Sequence, residues 1–272
     1  MSEWSFEYDF VVIGAGSGGM AAAAAAHDNG LRTLVLEKSP YYGGTSALSG
    51  GVIWIPNNHL MAETGIEDSE EDALAYLRQV TRGEVDEARL RAYVEHGPRM
   101  VEYFAQQTRV KFEAADKYCD YYPELPGGKL GSRSLDCQPF SRRKLGTEIH
   151  HIYPSRWRGV LNRFTLTARE SHFILNLNYR SYLFILWRLF LYYADIPSRL
   201  LRRPDHRATL GQGLVAGLRR SLMDRNIPLW RNITVTRLIS NEGRIEGVEI
   251  RRDGRLETIR ASHAVLKASG GF

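Results

Sequence analysis

The 272-residue sequence predicts an α/β fold in which a parallel sheet is split by a long, mostly helical insertion and completed after a β-meander. Three observations predict it. Two apolar runs, at 10–13 and 34–36, flank a glycine turn and six consecutive alanines, which is the order of a strand–helix–strand unit. Helical periodicity dominates 69–107. Short apolar runs separated by glycine-containing turns follow residue 233, as expected of a meander before a last strand.

The glycine turn after the first strand has the spacing of a dinucleotide-binding site. Gly14 allows the tight turn, Gly16 lets the backbone approach a pyrophosphate, and Gly19 lets the helix lie close against the sheet. The helix N-terminus adds free N–H groups and a partial positive charge. This predicts a Rossmann-like domain; the alternative is a glycine-rich turn without a ligand. The expected cofactor contacts are Gly14, Gly16, Ser17, Gly18 and Gly19.

An acidic residue closes the second apolar run. Glu37 lies 37 − 14 = 23 residues after Gly14, which suits a carboxylate that accepts hydrogen bonds from a ribose 2′-OH and repels a 2′-phosphate. We expect Glu37 and the adjacent Lys38 to lie beside the cofactor.

A second loop rich in glycine and hydroxyl residues lies between 43 and 51. A nicotinamide dinucleotide has no obvious need for such a loop, whereas the longer FAD molecule runs past this point with its phosphate and ribityl chain. Small residues let backbone N–H groups reach the cofactor, and hydroxyls add hydrogen bonds. The expected FAD contacts here are Gly43, Gly44, Thr45, Ser46, Ser49, Gly50 and Gly51.

The other elements follow from periodicity and turn residues. Ser69 with Asp72 resembles a capping box at the start of one helix, and Pro98 either kinks the next helix or starts a new one. The expected order is strand 8–13, helix 17–29, strand 31–37, loop 40–58, a helix opening at 68–72, a helix from 86 to near 107, an aromatic loop at 118–128, a basic loop at 129–158, helix 210–225, strands 233–239, 244–250 and 255–260, and a last strand at 264–268. The expected domain organisation is an N-terminal part of the FAD domain at 1–58, the insertion at 59–207 and a return to the FAD domain at 208–272.

Residues 168–203 have the most unusual composition. About a dozen apolar and aromatic residues at 182–193 are interrupted by Arg188 and flanked by further arginines. The stretch is too short to span a bilayer, which needs about 20 residues, but Trp and Tyr mixed with Arg suit a helix lying in a membrane interface. Three interpretations stay open: packing in a core or between domains, peripheral membrane contact through 180–203, and contact with an apolar substrate.

Composition limits the class of partner. The formal net charge is +5, yet no nucleic-acid-binding motif accompanies the arginines, so we expect no nucleic acid partner. Cys119 and Cys137 form neither a disulfide framework nor a CxxC metal pair, and His150 and His151 lack further ligands at suitable spacing, so we expect no metal site. The N-terminus shows no signal-peptide pattern, which favours a cytoplasmic protein.

The loop after the second strand also supports a resemblance to a known family. Its sequence, Gly43-Gly44-Thr45-Ser46-Ala47 followed by Ser49-Gly50-Gly51-Val52-Ile53-Trp54-Ile55-Pro56, resembles that of the 3-ketosteroid Δ1-dehydrogenases, within the wider fumarate reductase/succinate dehydrogenase flavoprotein superfamily. The glycine loop is typical of the whole superfamily, whereas the continuation through Trp54 is typical of a narrower group of proteins within it. The resemblance runs along the whole chain and is weakest between about 149 and 207.

The resemblance implies an FAD-dependent oxidoreductase that removes the C2 proton of a 3-ketosteroid and transfers the C1 hydride to flavin N5, with an unspecified electron acceptor. It implies that Tyr121, or failing that Tyr122, assists the catalytic base; from the residues alone, such a pair also commonly covers the edge of a core. The further FAD contacts that it implies are Val235, Ala268, Ser269 and Gly270.

Proteins of this family continue past the motif at 269–272, so the resemblance also implies that the chain is an N-terminal portion. The substrate domain, the base, the groups that bind the keto oxygen and a last FAD segment are then expected beyond residue 272. Two alternatives remain: a fumarate-reductase-like flavoprotein acting on a dicarboxylate or another enoyl substrate, and an inactive FAD-binding fragment.

Overall fold

A computed structural model of the chain describes residues 4–154, 164–175, 178–200 and 205–271. The strands in these residues are β1 (Phe6–Ile13), β2 (Thr33–Leu36), β3 (Ile53–Trp54), β4 (Phe112–Ala114), β5 (Ser134–Cys137), β6 (Phe140–Ser141), β7 (Arg207–Ala208), β8 (Leu229–Trp230), β9 (Thr234–Asn241), β10 (Arg244–Arg252) and β11 (Arg255–Lys267). The α-helices are α1 (Ser17–Asp28), α2 (Glu70–Thr81), α3 (Glu87–Gln107), α4 (Ala168–Leu175), α5 (Tyr179–Ala194), α6 (Ile196–Leu200) and α7 (Leu210–Asp224).

The described residues form two compact units. Unit 1 takes in Met1–Ser49, Ser141–Trp157 and Leu214–Phe272, and unit 2 takes in Gly50–Phe140 and Arg158–Gly213, in both cases over the described residues. Each unit is described by itself below.

Unit 1 is built on a six-stranded sheet in the order β8-β2-β1-β11-β10-β9. Strands β8, β2, β1 and β11 are parallel, and β10 and β9 continue the sheet in antiparallel pairing. Strand β2 and the Val11-Val12 pair of β1 are buried, which explains why these two strands contain continuous apolar runs. Val11, Leu34 and Leu36 lie in one core cluster with Val248 and Ile259 of the meander. The predicted α/β class, with its parallel sheet and meander, is confirmed.

The last strand differs from the prediction. Residues 255–260 and 264–268 were expected as two strands, but β11 is one strand that pairs with β10 in its first half and with β1 along most of its length. Its register against β1 shifts between Tyr8 and Phe10. This bulge keeps the polar residues Ser262 and His263, which read as a break, inside the strand, because one extra residue is accommodated there without ending the pairing.

Unit 2 contains the two helices predicted between 68 and 107, which are α2 and α3. It also contains a small sheet that the sequence did not predict. The Ser69 side chain accepts a hydrogen bond from the Asp72 backbone N–H, so the predicted cap is present. Pro98 lies inside α3, and no new helix starts there. Strand β5 pairs antiparallel with both β3 and β4. It lies in the region expected to be a basic loop. Its alternation of polar and apolar residues, Ser-Leu-Asp-Cys, covers only four positions, and all four residues are buried, the polar ones included.

Candidate functional site

Close packing requires glycine at two positions of the turn in unit 1. Gly14 has a φ of +106°, and a Cβ there would lie 2.4 Å from the carbonyl oxygen of Ala268. A Cβ on Gly19 would lie 2.1 Å from the carbonyl oxygen of Gly14. Both positions therefore exclude a side chain, and α1 lies close against the sheet as the spacing predicts.

The two other glycines of this turn are placed differently. A Cβ on Gly16 would meet only Ser46 Oγ, at 3.7 Å, and a Cβ on Gly18 would meet nothing within 4 Å. Gly16 occupies the N-cap position of α1 without a side-chain cap, and the first turn of the helix has no acidic residue. The helix start therefore carries a partial positive charge that no acidic side chain of its first turn offsets, which fits a pyrophosphate.

The glycine turn is linked to the second glycine loop within unit 1. The Ser17 backbone N–H donates to Ser46 Oγ at 3.1 Å, and the two hydroxyl oxygens lie 2.9 Å apart. Gly43 has a φ of +101°, and its Cβ would lie 2.8 Å from Val215 of α7. The loop then forms a 3₁₀ turn at Gly44–Leu48, in which Thr45 is exposed. Hydroxyls and backbone of this loop therefore lie beside the start of α1.

Gly50 and Gly51, which the sequence groups with this loop, belong to unit 2. Gly51 has a φ of +69°, and a Cβ there would lie 2.4 Å from the backbone of Leu210. Its conformation and its close backbone contact both require glycine.

Glu37 is held in place by two backbone groups. One carboxylate oxygen accepts the Ala15 N–H at 2.9 Å, and the other accepts the Ser39 N–H at 2.9 Å. Each oxygen keeps acceptor capacity, since a carboxylate offers about four lone-pair sites. Glu37 is therefore a preorganised acceptor at the end of β2, beside the glycine turn, which fits ribose hydroxyls. The neighbouring Lys38 is exposed.

The other expected FAD contacts of unit 1 reach the same edge of the sheet. The Ala268 N–H donates to the Ile13 carbonyl at 2.8 Å, so the end of β11 lies next to Gly14, and the following Ser269 and Gly270 are exposed. The Ile233 N–H donates to the Glu37 carbonyl at 2.9 Å. This contact places the start of β9, with the half-buried Val235, near Glu37.

Unit 2 contains a buried ion-pair cluster that the sequence did not predict. The Arg133 guanidinium is fully buried and bonds Asp68 through two nitrogens, at 2.6 and 2.8 Å, and Asp120 through the third, at 2.8 Å. Trp54 Nε1 donates to the other oxygen of Asp120 at 2.6 Å. Asp68 and Asp120 are 65 and 13 residues from Arg133 in the sequence, so no local pattern indicated the cluster.

The cluster fixes the start of the aromatic loop but leaves the tyrosines accessible. Asp120 is buried, whereas the next residue, Tyr121, is 87% exposed and Tyr122 is 53% exposed. The Tyr122 backbone N–H donates to the Tyr76 hydroxyl at 3.3 Å. The structure therefore places the Tyr121 side chain at the surface of unit 2, on a loop that the buried Asp120 anchors.

The aromatic helix of the insertion is exposed on one face. Residues at helical spacing on α5 are more than half exposed, namely Leu183, Leu186, Trp187, Phe190 and Tyr193. Arg188, which interrupts the apolar stretch in the sequence, is buried, with its Nη2 3.6 Å from Oδ2 of Asp205. Burial lowers the pKa of Arg188. Within the described ranges, no helix is both long and apolar enough to cross a membrane. Of the stretch 180–203, residues 201–203 lie outside the described residues.

The glycine turn, the start of α1 beside it and the anchored Glu37 define a dinucleotide-binding α/β protein. The chain belongs to the family of FAD binding domains, whose model matches residues 9–272. FAD is therefore the cofactor that family membership implies.

The names of individual relatives are more specific than that of the family. The 3-oxosteroid 1-dehydrogenase of Comamonas testosteroni is 38% identical over 98% of this chain, which corresponds to 47% of that protein. The crystal structure of 3-ketosteroid Δ1-dehydrogenase from Sterolibacterium denitrificans, in complex with 1,4-androstadiene-3,17-dione, matches with a TM-score of 0.94 and 40% identity, over 98% of this chain and 48% of that one. A flavocytochrome c3 fumarate reductase shares the fold, with a TM-score of 0.61 and 18% identity over 98% of this chain and 34% of that one. The chain thus spans about half the length of the curated relatives it matches.

Proposed function

We propose that this protein is an FAD-dependent oxidoreductase that introduces a 1,2-double bond into 3-ketosteroids. The observation that carries the proposal is the similarity to steroid dehydrogenases over almost the whole chain, at 38% and 40% identity. The fumarate reductase match, at 18% identity, supports the fold alone.

The residues of unit 1 would bind and orient the cofactor. The partially positive start of α1 would hold the pyrophosphate, and the fixed carboxylate of Glu37 would accept hydrogen bonds from the ribose. Ser46 and the neighbouring hydroxyls would contact the chain that leads towards the flavin. When bound, FAD supplies a hydride acceptor for the hydrogen at C1 of the steroid.

Tyr121 would assist removal of the C2 proton. The C3 ketone makes this proton acidic, and a general base takes it. A hydrogen bond donated by the Tyr121 hydroxyl lowers the free-energy cost of the ionised base. Its exposed side chain on an anchored loop supports this role, because the hydroxyl is accessible while the loop start is fixed by Asp120.

The test is rapid reduction of the full-length, FAD-loaded protein by 4-androstene-3,17-dione without oxygen. We expect bleaching of the flavin absorbance and formation of the 1,4-diene. Tyr121→Phe should slow bleaching by at least about tenfold and leave the FAD content unchanged. Tyr122→Phe, on the same loop, is the matched variant: if it alone slows bleaching, the role belongs to Tyr122.

The same experiment separates the alternatives. A flavin that no steroid reduces, but whose reduced form is reoxidised by fumarate, would replace the proposal with a dicarboxylate reductase. A protein that binds FAD and reacts with neither substrate would support the inactive fragment.

We also propose peripheral membrane contact through α5. Four of its exposed apolar residues, Leu183, Leu186, Trp187 and Phe190, follow the i, i+3, i+4, i+7 spacing of one helix face. Trp187 stacks on Phe190, with ring centroids 5.6 Å apart. Aromatic residues on an apolar helix face suit the interface of a bilayer, and the net charge of +5 favours anionic lipid. Burial of Arg188 supports this surface further, since it removes a charge from the face.

A further inference from the structure

Hydrogen bonds within unit 2 hold the backbone on both sides of Tyr121. On one side, the Asp120 N–H donates to the Lys129 carbonyl at 3.0 Å, and the Lys129 N–H returns a hydrogen bond to Oδ2 of Asp120 at 2.9 Å. On the other side, the Tyr122 N–H donates to the Tyr76 hydroxyl of α2 at 3.3 Å. Because the Tyr121 side chain is itself 87% exposed, its position depends on how firmly these neighbours are held.

The Asp120 carboxylate has different donors at its two oxygens. Oδ2 accepts from the Lys129 N–H and from Nη1 of Arg133. Oδ1 accepts from Nε1 of Trp54 at 2.6 Å. Asp120 is 4% exposed, so the bond from the indole to this charged oxygen is strong and water does not readily replace it. Loss of the indole donor would therefore loosen the carboxylate while its ion pair with Arg133 remains.

The Trp54 ring is fixed by the side chains around it. It stacks on Tyr93 of α3, with ring centroids 6.3 Å apart and ring planes 11° apart, and it lies 5.8 Å from the Tyr76 ring. The Arg133 guanidinium lies 5.4 Å from the same ring. The indole thus presents its N–H to Asp120 from a fixed position, as a group that positions a functional residue must do.

We propose that Trp54 is a positioning residue for the reaction proposed above: its indole N–H holds the Asp120 carboxylate and thereby the backbone from which Tyr121 reaches the catalytic base. The inference rests on the proposed function, in which the Tyr121 hydroxyl assists that base. Trp54 needs no contact with steroid or flavin for this role. A displacement of about 1 Å can slow a reaction by about 100-fold, so a hydrogen bond behind Tyr121 can control the rate.

Trp54→Phe removes the donor and keeps an aromatic ring in the stack. In the full-length, FAD-loaded protein, the amide hydrogens of 120–129 should exchange with deuterium about tenfold faster, because a hydrogen bond to a charged group is lost. Tyr93→Phe is the matched control: it removes the hydrogen bond that the Trp54 carbonyl accepts, keeps the stacked ring and should leave this exchange unchanged. Equal exchange in native protein and Trp54→Phe would overturn the proposal, whatever the protein does with steroid.

Reduction of the flavin by 4-androstene-3,17-dione tests the catalytic consequence. Trp54→Phe should lower the rate constant at saturating steroid by at least about tenfold, with less than about a twofold change in the half-saturating concentration. The FAD content should not change. In a Tyr121→Phe background the same substitution should have almost no further effect, because both act through one hydroxyl.

Asp120→Asn breaks the same hydrogen bond from its other end. The Lys129 N–H and Arg133 hold the oxygen at the Oδ2 position, so the amide NH₂ takes the place of Oδ1 and faces the indole N–H, donor against donor. Exchange of 120–129 should rise and reduction should slow, which keeps the test available if Trp54→Phe does not fold. A folded Asp120→Asn protein with native exchange and native reduction would contradict the proposal.

The Tyr121→Phe background separates this inference from the proposed function. If Tyr121→Phe slows reduction, but Trp54→Phe has no effect or slows both backgrounds equally, the positioning role is wrong and the proposed function stands. If Tyr121→Phe leaves reduction unchanged, the proposed role of Tyr121 is wrong, and the positioning role of Trp54 is wrong with it.

Discussion

Arg133 bonds Asp68 and Asp120 at once, so that one buried guanidinium joins the segment before α2 to the start of the aromatic loop. All three side chains are at most 2% exposed, and the guanidinium also lies 5.4 Å from the Trp54 ring. Removing one partner of such a cluster leaves uncompensated buried charge, which is far more costly than losing a surface pair.

Arg133→Met should therefore lower the free energy of unfolding by about 3–5 kcal/mol. Arg133→Lys should be intermediate, because a lysine cannot bond both carboxylates in the same fork geometry. Arg78→Met is the matched control, since its ion pair with Glu87 is exposed and should contribute little. Denaturant unfolding of the three variants measures the difference, and equal effects of Arg133→Met and Arg78→Met would contradict the cluster's role.

Alanine substitution at two glycines of the turn should lower the free energy of unfolding by very different amounts. Gly19→Ala should destabilise unit 1 by more than about 3 kcal/mol, because its Cβ would overlap the Gly14 carbonyl. Gly16→Ala has room for the Cβ and a φ of −73°, so it should cost at most about 1 kcal/mol as a poorer cap.

Gly16→Ala should nevertheless weaken FAD binding by at least about tenfold, because the added methyl group would stand where the backbone approaches the pyrophosphate. Flavin fluorescence titration measures this change. Native affinity in a folded Gly16→Ala protein would remove the turn from the cofactor site.

The carboxyl of Asp136 predicts a pH dependence. Its pKa is about 6 in the folded protein, above the ordinary value of 3.8. The folded state therefore binds this proton more tightly than the unfolded chain, and the free energy of unfolding falls as pH rises from about 4 to about 6. Asp136→Asn should be more stable than the native protein at neutral pH, by roughly 1–3 kcal/mol, and nearly equal to it at about pH 4.

Thermal unfolding of both proteins across this pH range checks the prediction. Glu113→Gln, which removes the facing charge on β4, should show a smaller gain, because the Glu113 charge adds to burial in raising the pKa of Asp136. A stability difference between native protein and Asp136→Asn that does not vary with pH would show that the titrating group is another residue.

The exposed face of α5 predicts binding to anionic vesicles. The native protein should co-sediment with phosphatidylglycerol-containing vesicles, and less so at high salt. Serine at Leu186, Trp187 and Phe190 together should reduce co-sedimentation several-fold, because burial of these side chains drives insertion. Leu256→Ser changes an equally exposed leucine on β11 and should leave binding intact. Loss of self-association in the triple variant without any lipid binding would instead identify the face as an interface between copies.

Local spacing explains what the sequence could predict. The glycine turn, Glu37 and the Ser69 cap depend on residues close together in the chain, and each lies as its pattern indicates. The fold class followed from the same runs, since buried parallel strands are apolar throughout.

The remaining features depend on contacts between distant segments. Arg133 is 65 residues from Asp68 in sequence and has no local pattern that indicates burial. Strand β5 is stabilised by its two neighbouring strands rather than by its own composition. The role of Tyr121 stays a prediction, because the exposure of its side chain is compatible with catalysis without requiring it.

The most direct test of the central claim is the visible absorption spectrum of the purified, desalted protein. We predict flavin bands from bound FAD at close to one molecule per chain, held by the turn at Gly14–Gly19 and by Glu37. A full-length protein that is folded by circular dichroism but stays colourless after incubation with excess FAD would contradict the assignment of this site.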